Sequence, residues 1–253
     1  MVEMPFHPKD YQASPGLLAG RVILVTGAGT GLGRSLALAC AAHGATLVLL
    51  GPVQRTLEKV YDEIEAAGGA QPALFVMDLL TAEAPNFGDL ADTLALNLGR
   101  LDGLVHNAAL LPYLSRIDDL EPESWQQVLK VNLTAPFLLT QACLPLLRQA
   151  PDASVIFTSD RVGRCGKAYW GAYGVSKFGL EGLSQILAEE LRDTSAIRVN
   201  SLDPGALRTD LRARTYPGMD PDQWPLPEVA VPAFLYLLGP DSRGVTGQAL
   251  DAQ

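Results

Sequence analysis

The sequence predicts an α/β protein built on a single doubly wound parallel sheet with helices on both faces. Three observations predict it. From Arg21 onward, short apolar runs alternate with longer segments of helical spacing, the pattern of repeated β-α-β units. Glycines, prolines and reactive side chains gather just after the apolar runs, where such sheets bind ligands beyond the carboxyl ends of their strands. The chain has 253 residues, the size of one large domain rather than two generous ones.

Each element has its own signal. Residues 22–26 are apolar and run into glycines, so they read as a buried strand. Helical spacing follows over 31–43, and Gly44 suits a helix C-terminus. A second strand covers 46–50. A second helix covers 53–67 and stops at Gly68 and Gly69. Strand 73–77, a polar helix over 87–99 and strand 103–106 come next. One long helix is predicted over 123–149, then strand 154–158, helix 170–193 and strand 198–202. Residues 206–227 read as irregular, and helix 228–238 and strand 247–250 close the chain. Residues 1–20 carry Pro5, Pro8 and Pro15 and read as an N-terminal extension lying over the domain of residues 21–253.

Composition narrows the function. The formal net charge is -9 and no long basic run occurs, so nucleic acid is a poor partner. No apolar run approaches the roughly 20 residues of a membrane span, and residues 1–20 have no signal-peptide core. Cys40, Cys143 and Cys165 make no CxxC pair, which favours a reducing compartment, the cytoplasm. His7, His43 and His106 lack metal-ligand spacing, so no metal is expected.

The first strand opens into Thr26-Gly27-Ala28-Gly29-Thr30-Gly31-Leu32-Gly33. Glycines permit the sharp turn and let backbone approach a pyrophosphate, while the helix N-terminus offers free N–H groups. The spacing is GxxxGxG over Gly27, Gly31 and Gly33, not GxGxxG. NAD enzymes place an acid after the second strand to hold the ribose. Here that stretch is Gly51-Pro52-Val53-Gln54-Arg55. Without that acid, Arg34 and Arg55 are candidates to meet a 2′-phosphate. NADP is therefore the expected cofactor, with NAD as the alternative.

Tyr173 and Lys177 stand four residues apart in a predicted helix, so phenol and ammonium share a face. A free phenol has a pKa of roughly 10. A nearby ammonium favours its phenolate, which would let Tyr173 exchange a proton with a substrate oxygen. Ser159 ends strand 154–158, where a hydroxyl can hold that oxygen. Asn132 lies four residues before Pro136. Pro136 has no N–H, so the Asn132 carbonyl is freed to hold a water and, through it, Lys177.

Together these residues resemble the short-chain dehydrogenase/reductase family, a Rossmann fold, over nearly all of the chain from Arg21. TGxxxGxG falls on Thr26–Gly33, and the family's NNAG motif appears as His106-Asn107-Ala108-Ala109. The resemblance implies an active-site tetrad at Asn132, Ser159, Tyr173 and Lys177. It implies cofactor contacts at Gly27, Thr30, Gly31, Leu32, Gly33, Arg34, Arg55, Asp78, Leu79, Asn107, Ala108, Tyr173, Lys177, Pro204, Gly205 and Thr209. Val162-Gly163-Arg164, Trp170-Gly171-Ala172-Tyr173 and Asp251-Ala252-Gln253 are similar to the YciK-type oxidoreductases of that family. Three positions depart from the pattern: Ala109 for a glycine, Asp160 where a second serine is usual, and Pro52 where the subgroup tends to carry arginine.

The expected activity is hydride transfer between NADP(H) and a small carbonyl or alcohol. The alternative is a dinucleotide sensor without catalysis, which would have no use for the Tyr–Lys pair. An apolar substrate wall is expected from Leu111, Pro112, Tyr113, Trp170, Leu207, Leu211 and Tyr216, with Trp224 on the same segment. The apolar residues of the two long helices exceed one core-facing stripe, so a homodimer or homotetramer is expected.

Overall fold

In the computed structural model, which describes residues 10–253, seven parallel strands form one sheet in the order β3-β2-β1-β4-β5-β6-β7. The strands are β1 (Val22–Thr26), β2 (Thr46–Gly51), β3 (Ala73–Val76), β4 (Gly103–His106), β5 (Ser154–Thr158), β6 (Arg198–Asp203) and β7 (Ala249–Asp251). The strand order reverses between β1 and β4, and this crevice is where a doubly wound sheet accepts a ligand. β1, β4 and β5 are buried along their whole length. They are covered on both faces, which is why they read as unbroken apolar runs.

One face is covered by α1 (Gly31–Ala42), α2 (Gln54–Ala66) and α8 (Val231–Leu238). Leu36, Leu57 and Phe234 fill that layer and are fully buried. The other face carries α3 (Ala84–Leu98), α5 (Ala135–Leu147) and α6 (Gly171–Leu191), with Phe87, Leu139 and Leu187 in its core. Burying a side chain such as Phe87 contributes roughly 1.5–3 kcal/mol. Part of the segment before β1 packs against the domain. Leu18 is fully buried, and its N–H donates to the His43 carbonyl at 3.0 Å. Residues 1–9 of that predicted extension lie outside the described residues.

Several boundaries differ from the sequence reading at a proline or a glycine. The helix expected over 123–149 is three pieces: α4 (Pro122–Leu129), a π turn (Lys130–Thr134) and α5. The Ala135 N–H bonds back to the Lys130 carbonyl, so one extra residue is fitted just before Pro136, which has no N–H to give. α3 starts at Ala84 because Pro85 is tolerated in a first turn, and Glu83 and Asn86 form a capping box. At the start of α8, Pro232 likewise sits in the first turn, after a 3₁₀ turn (Pro227–Ala230). β7 begins at Ala249 rather than 247, because Gly247 has φ +68, which no strand accommodates. The stretch read as irregular holds a short helix, α7 (Asp210–Thr215).

Candidate active site

The strand ends open on a cleft of about 520 Å³. Its floor is the β1–α1 loop. Gly27 and Gly31 take φ +66 and +51, a region closed to most residues with a Cβ. A Cβ on Gly33 would lie 2.1 Å from the Gly27 carbonyl oxygen and 2.6 Å from Asn107 Nδ2. Thr30 precedes α1 without capping it by a side chain, and the first turn has no acidic residue. Its N–H groups are left for an anion.

Asn107, just past β4, ties this loop down. Its side-chain amide donates to the Thr26 carbonyl at 3.0 Å. The backbone N–H groups of Asn107 and Ala108 both donate to Thr26 Oγ1 at 3.0 Å. Gly27, Thr30, Gly31, Leu32, Asp78, Leu79, Asn107, Ala108, Tyr173, Lys177, Pro204, Gly205 and Thr209 all line the cleft. Gly33 lies beneath it, packed on Gly27. Thr158 also lines the cleft, and its buried hydroxyl has no hydrogen-bond partner among the described residues. A loop that excludes Cβ atoms, an uncapped helix start and an orphaned hydroxyl fit a dinucleotide.

The two arginines expected to meet a 2′-phosphate are not in the lining. Arg34 faces Glu63 on α2, with Nε 3.3 Å from Oε1 and a second, shorter contact from Nη2. Arg55 is exposed on α2. Pro52 and Arg214 are at the cleft instead. Helix α1 turns Arg34 toward its neighbour α2 rather than toward the strand ends, which spacing alone does not reveal.

α6 brings Tyr173 and Lys177 to the same cleft, both buried. Lys177 Nζ donates to the Thr158 carbonyl at 2.6 Å and sits 5.4 Å from the centre of the Tyr173 ring. Burial pushes the Lys177 ammonium down to about 8, against the opposing pull of Asp160, Asp203 and Glu181. The phenol moves opposite to the expected direction. Burial first, then the charge of Asp160, hold Tyr173 well above the ordinary phenol value, and Arg212 only partly opposes this. Lys177 is drawn to a backbone oxygen rather than to the phenol oxygen.

Asn132 acts through its side chain. The amide donates to the Leu110 carbonyl at 2.9 Å and to Ser176 Oγ at 3.1 Å, and its oxygen accepts the Leu110 N–H at 2.7 Å. It clamps the segment after β4 to α6. The π turn aims that side chain, a feature for which the missing N–H of Pro136 was the only sequence signal.

Ser159 lines the same cleft. Its hydroxyl is buried and donates to Glu181 Oε1 at 2.6 Å. Glu181 also accepts from Ser201 Oγ at 2.5 Å and from Arg164 Nε at 2.8 Å. This carboxylate accepts three donors, Ser159, Ser201 and Arg164. The neighbouring Asp160 also lines the cleft, and the phenol donates to its Oδ2 at 3.4 Å. Asp160 Oδ1 accepts the Val162 N–H at 3.0 Å. The sequence signal was present, since Asp160 stands where a second serine is usual.

A second cavity, about 890 Å³, adjoins the first and shares Asp160, Gly205 and Arg212 with it. Asp203, at the end of β6, lines this second cavity. Its carboxyl is raised above the usual range by burial, with Asp160 and Asp251 adding and the Gly205 N–H opposing. The apolar wall read from the sequence is divided. Leu207 and Leu211 line the first cavity, while Tyr216 lines the second. Trp170 reaches the second cavity and also the narrow crevice that holds Leu111, Pro112 and Tyr113.

Residues 21–220 match the family model described as short chain dehydrogenase. The chain belongs to this family. It is 45% identical over 243 residues to the uncharacterised oxidoreductase YciK of Escherichia coli K12, covering 96% of each chain. A Pseudomonas syringae structure assigned as a short chain dehydrogenase is 51% identical, with a TM-score of 0.95 over 96% of this chain and 99% of its own. A related structure from Shigella flexneri 2a, complexed with NADP, is 44% identical, with a TM-score of 0.92 over 95% and 100%. The chain is thus a short-chain dehydrogenase of YciK type, in a family of nicotinamide-dependent oxidoreductases.

Proposed function

We propose that the chain interconverts a small carbonyl compound and its alcohol with NADP(H), and that Tyr173 is the group that exchanges a proton with the reacting oxygen. The observation that carries this reading is the convergence of Tyr173, Lys177 and the glycine loop on one cleft. The NADP complex of the Shigella flexneri relative supports the choice of cofactor. Of the basic residues lining the cleft, Arg214 is exposed and suits a 2′-phosphate better than the paired Arg34. A bound nicotinamide dinucleotide supplies or accepts the hydride.

The chain's own residues do the rest. The start of α1 and the loop from Gly27 to Gly31 receive the pyrophosphate. Asp78 and Leu79 flank the adenine end, and Thr209 with Pro204 and Gly205 closes the nicotinamide end. Lys177 holds the ribose hydroxyls and supplies positive charge beside the phenol. Asn132 positions α6 through Ser176, and Tyr173 stands at the reacting oxygen. The exposed apolar residues Phe137 on α5 and Val175, Phe178 and Ile186 on α6 support a two-fold homo-oligomer joined through these helices. The three free cysteines accord with a cytoplasmic enzyme.

The test is Tyr173→Phe, assayed for NADPH binding by fluorescence and for turnover across a panel of aldehydes and ketones. The ring's packing survives and the proton is lost. Turnover should fall roughly a hundred- to ten-thousandfold, with cofactor affinity nearly unchanged. Near-normal turnover by Tyr173→Phe would refute the assignment. A wild-type protein that binds NADPH yet reduces no carbonyl would favour the sensor.

A further inference from the structure

We propose that the second cavity is a substrate subsite for an anionic group, a carboxylate set several bonds from the reacting carbonyl and held by Arg212 with Lys167 and Arg161. This rests on the reading of Tyr173 given above and adds the class of carbonyl compound.

The place follows from the two adjoining cavities. The dinucleotide takes the first, whose floor is the glycine loop, so the body of a substrate at Tyr173 extends into the second. The wall between them is aromatic. The Trp170 ring packs on Tyr173 with centres 5.6 Å apart, and the Tyr216 ring lies 6.5 Å from Trp170. A cation stands at each side of this wall. Lys167 Nζ is 5.7 Å from the centre of the Trp170 ring. The Arg212 guanidinium is 5.6 Å from that of Tyr216 and 5.9 Å from that of Trp224. Arg212 lines both cavities, and its charge reaches the Tyr173 phenol.

Charge pairing selects the sign of the ligand. Arg164, the fourth cation of this cavity, is engaged by Glu181 at 2.8 Å, Asp251 at 2.6 Å and the Leu250 carbonyl at 3.0 Å. Arg161, Lys167 and Arg212 make no ion pair among the described residues. Aromatic rings hold a guanidinium by its face and leave its N–H edge free, and that edge binds a carboxylate through two parallel hydrogen bonds.

Two carboxylates set where the anion does not lie. Asp160 follows β5 and Asp203 ends β6, oriented by the Val162 N–H at 3.0 Å and the Gly205 N–H at 2.8 Å. Both act on the Tyr173 phenol. A carboxylate directly on the reacting carbon would meet these like charges. One carried across Trp170 and Tyr216 meets Arg212 instead. The subsite therefore favours a carbonyl compound with a remote anion over an α-oxo acid.

Three aryl ketones test this. 4-Acetylbenzoate carries its carboxylate across a ring, methyl 4-acetylbenzoate carries no charge, and benzoylformate carries its carboxylate on the carbonyl. Each is titrated by calorimetry into the protein loaded with oxidised NADP, which has no hydride to give. 4-Acetylbenzoate should bind about tenfold tighter than either of the others, the size of one charge-assisted pair. Arg212→Gln should abolish the preference over the ester. Lys167→Gln, at an exposed side chain and so without cost to the fold, should reduce it about threefold. An ester or a benzoylformate bound as tightly as 4-acetylbenzoate, a preference that survives either variant unchanged, or no binding of any of the three would overturn the proposal. Turnover with NADPH is read separately. If 4-acetylbenzoate binds with the stated preference and neither it nor any other carbonyl compound is reduced, the proposed function fails and the anion subsite stands.

Discussion

Gly33→Ala offers the sharpest test of the cofactor cradle, because the structure sets the size of the effect. The new Cβ would fall 2.1 Å from the Gly27 carbonyl oxygen, whereas real Cβ atoms essentially never come within 3.0 Å of another heavy atom. The loop or the start of α1 must therefore move by about 0.9 Å, and Asn107 Nδ2, at 2.6 Å, must give by about 0.4 Å. Neither yields freely. The first is backbone, and the second is bonded to Thr26. Overpacking of this kind costs roughly 1–3 kcal/mol. If that cost falls on the pyrophosphate-binding conformation, NADPH affinity drops by about tenfold to a hundredfold. Gly88→Ala is the control. Gly88 lies inside α3, and its Cβ would meet nothing within 4 Å, so helix propensity should stabilise it by about 1 kcal/mol. Fluorescence titration with NADPH and thermal melts of both variants decide the matter. A Gly33→Ala protein with unchanged melting and NADPH affinity within twofold of wild type would refute the reasoning.

Two further substitutions probe the scaffold under the site. His106, stacked on Phe157 with ring centres 4.8 Å apart, is pushed down to about 3 by burial. The unfolded chain binds this proton below roughly pH 6.5 and the folded chain does not, so stability falls as pH drops through that window, by about 1.4 kcal/mol per unit. Between pH 7.5 and pH 5, wild type should lose about 2 kcal/mol more than His106→Gln in urea unfolding; parallel losses would show that His106 takes up its proton in the fold. Asp152 pairs with Arg198 at 3.0 Å and Arg21 at 2.9 Å, all nearly buried, and with the exposed Arg243 at 3.2 Å. Asp152→Asn strands buried guanidinium charge and should cost about 3–5 kcal/mol, and a change below 1 kcal/mol in urea unfolding would show that water already compensates the arginines.

Most of the architecture was legible in the chain. Strands covered on both faces must be apolar throughout, so β1, β2 and β5 declared themselves by composition. The glycines of the β1–α1 loop and the Tyr173–Lys177 spacing are local signals, because a turn or a single helical step converts sequence distance directly into spatial distance. Such signals located the cleft, and the family resemblance added Asp78, Leu79, Pro204, Gly205 and Thr209, which also line it.

What the sequence could not decide was which hydroxyls and charges find partners from distant segments. Ser159 and Asp160 follow β5 and both line the cleft, yet only Ser159 is bonded to a buried carboxylate. That carboxylate, Glu181, also gathers Ser201 and Arg164, so the cluster joins α6, β6 and the loop after β5. Arg34 is claimed by Glu63 only because α1 and α2 pack side by side. The Tyr173 phenol is raised rather than lowered because the tertiary fold removes water from it and brings a carboxylate to it, while Lys177 turns to the Thr158 carbonyl. Sequence alone placed the strand ends and the reactive residues. Burial and long-range pairing, which exist only once the sheet has assembled, determined which partners those residues meet.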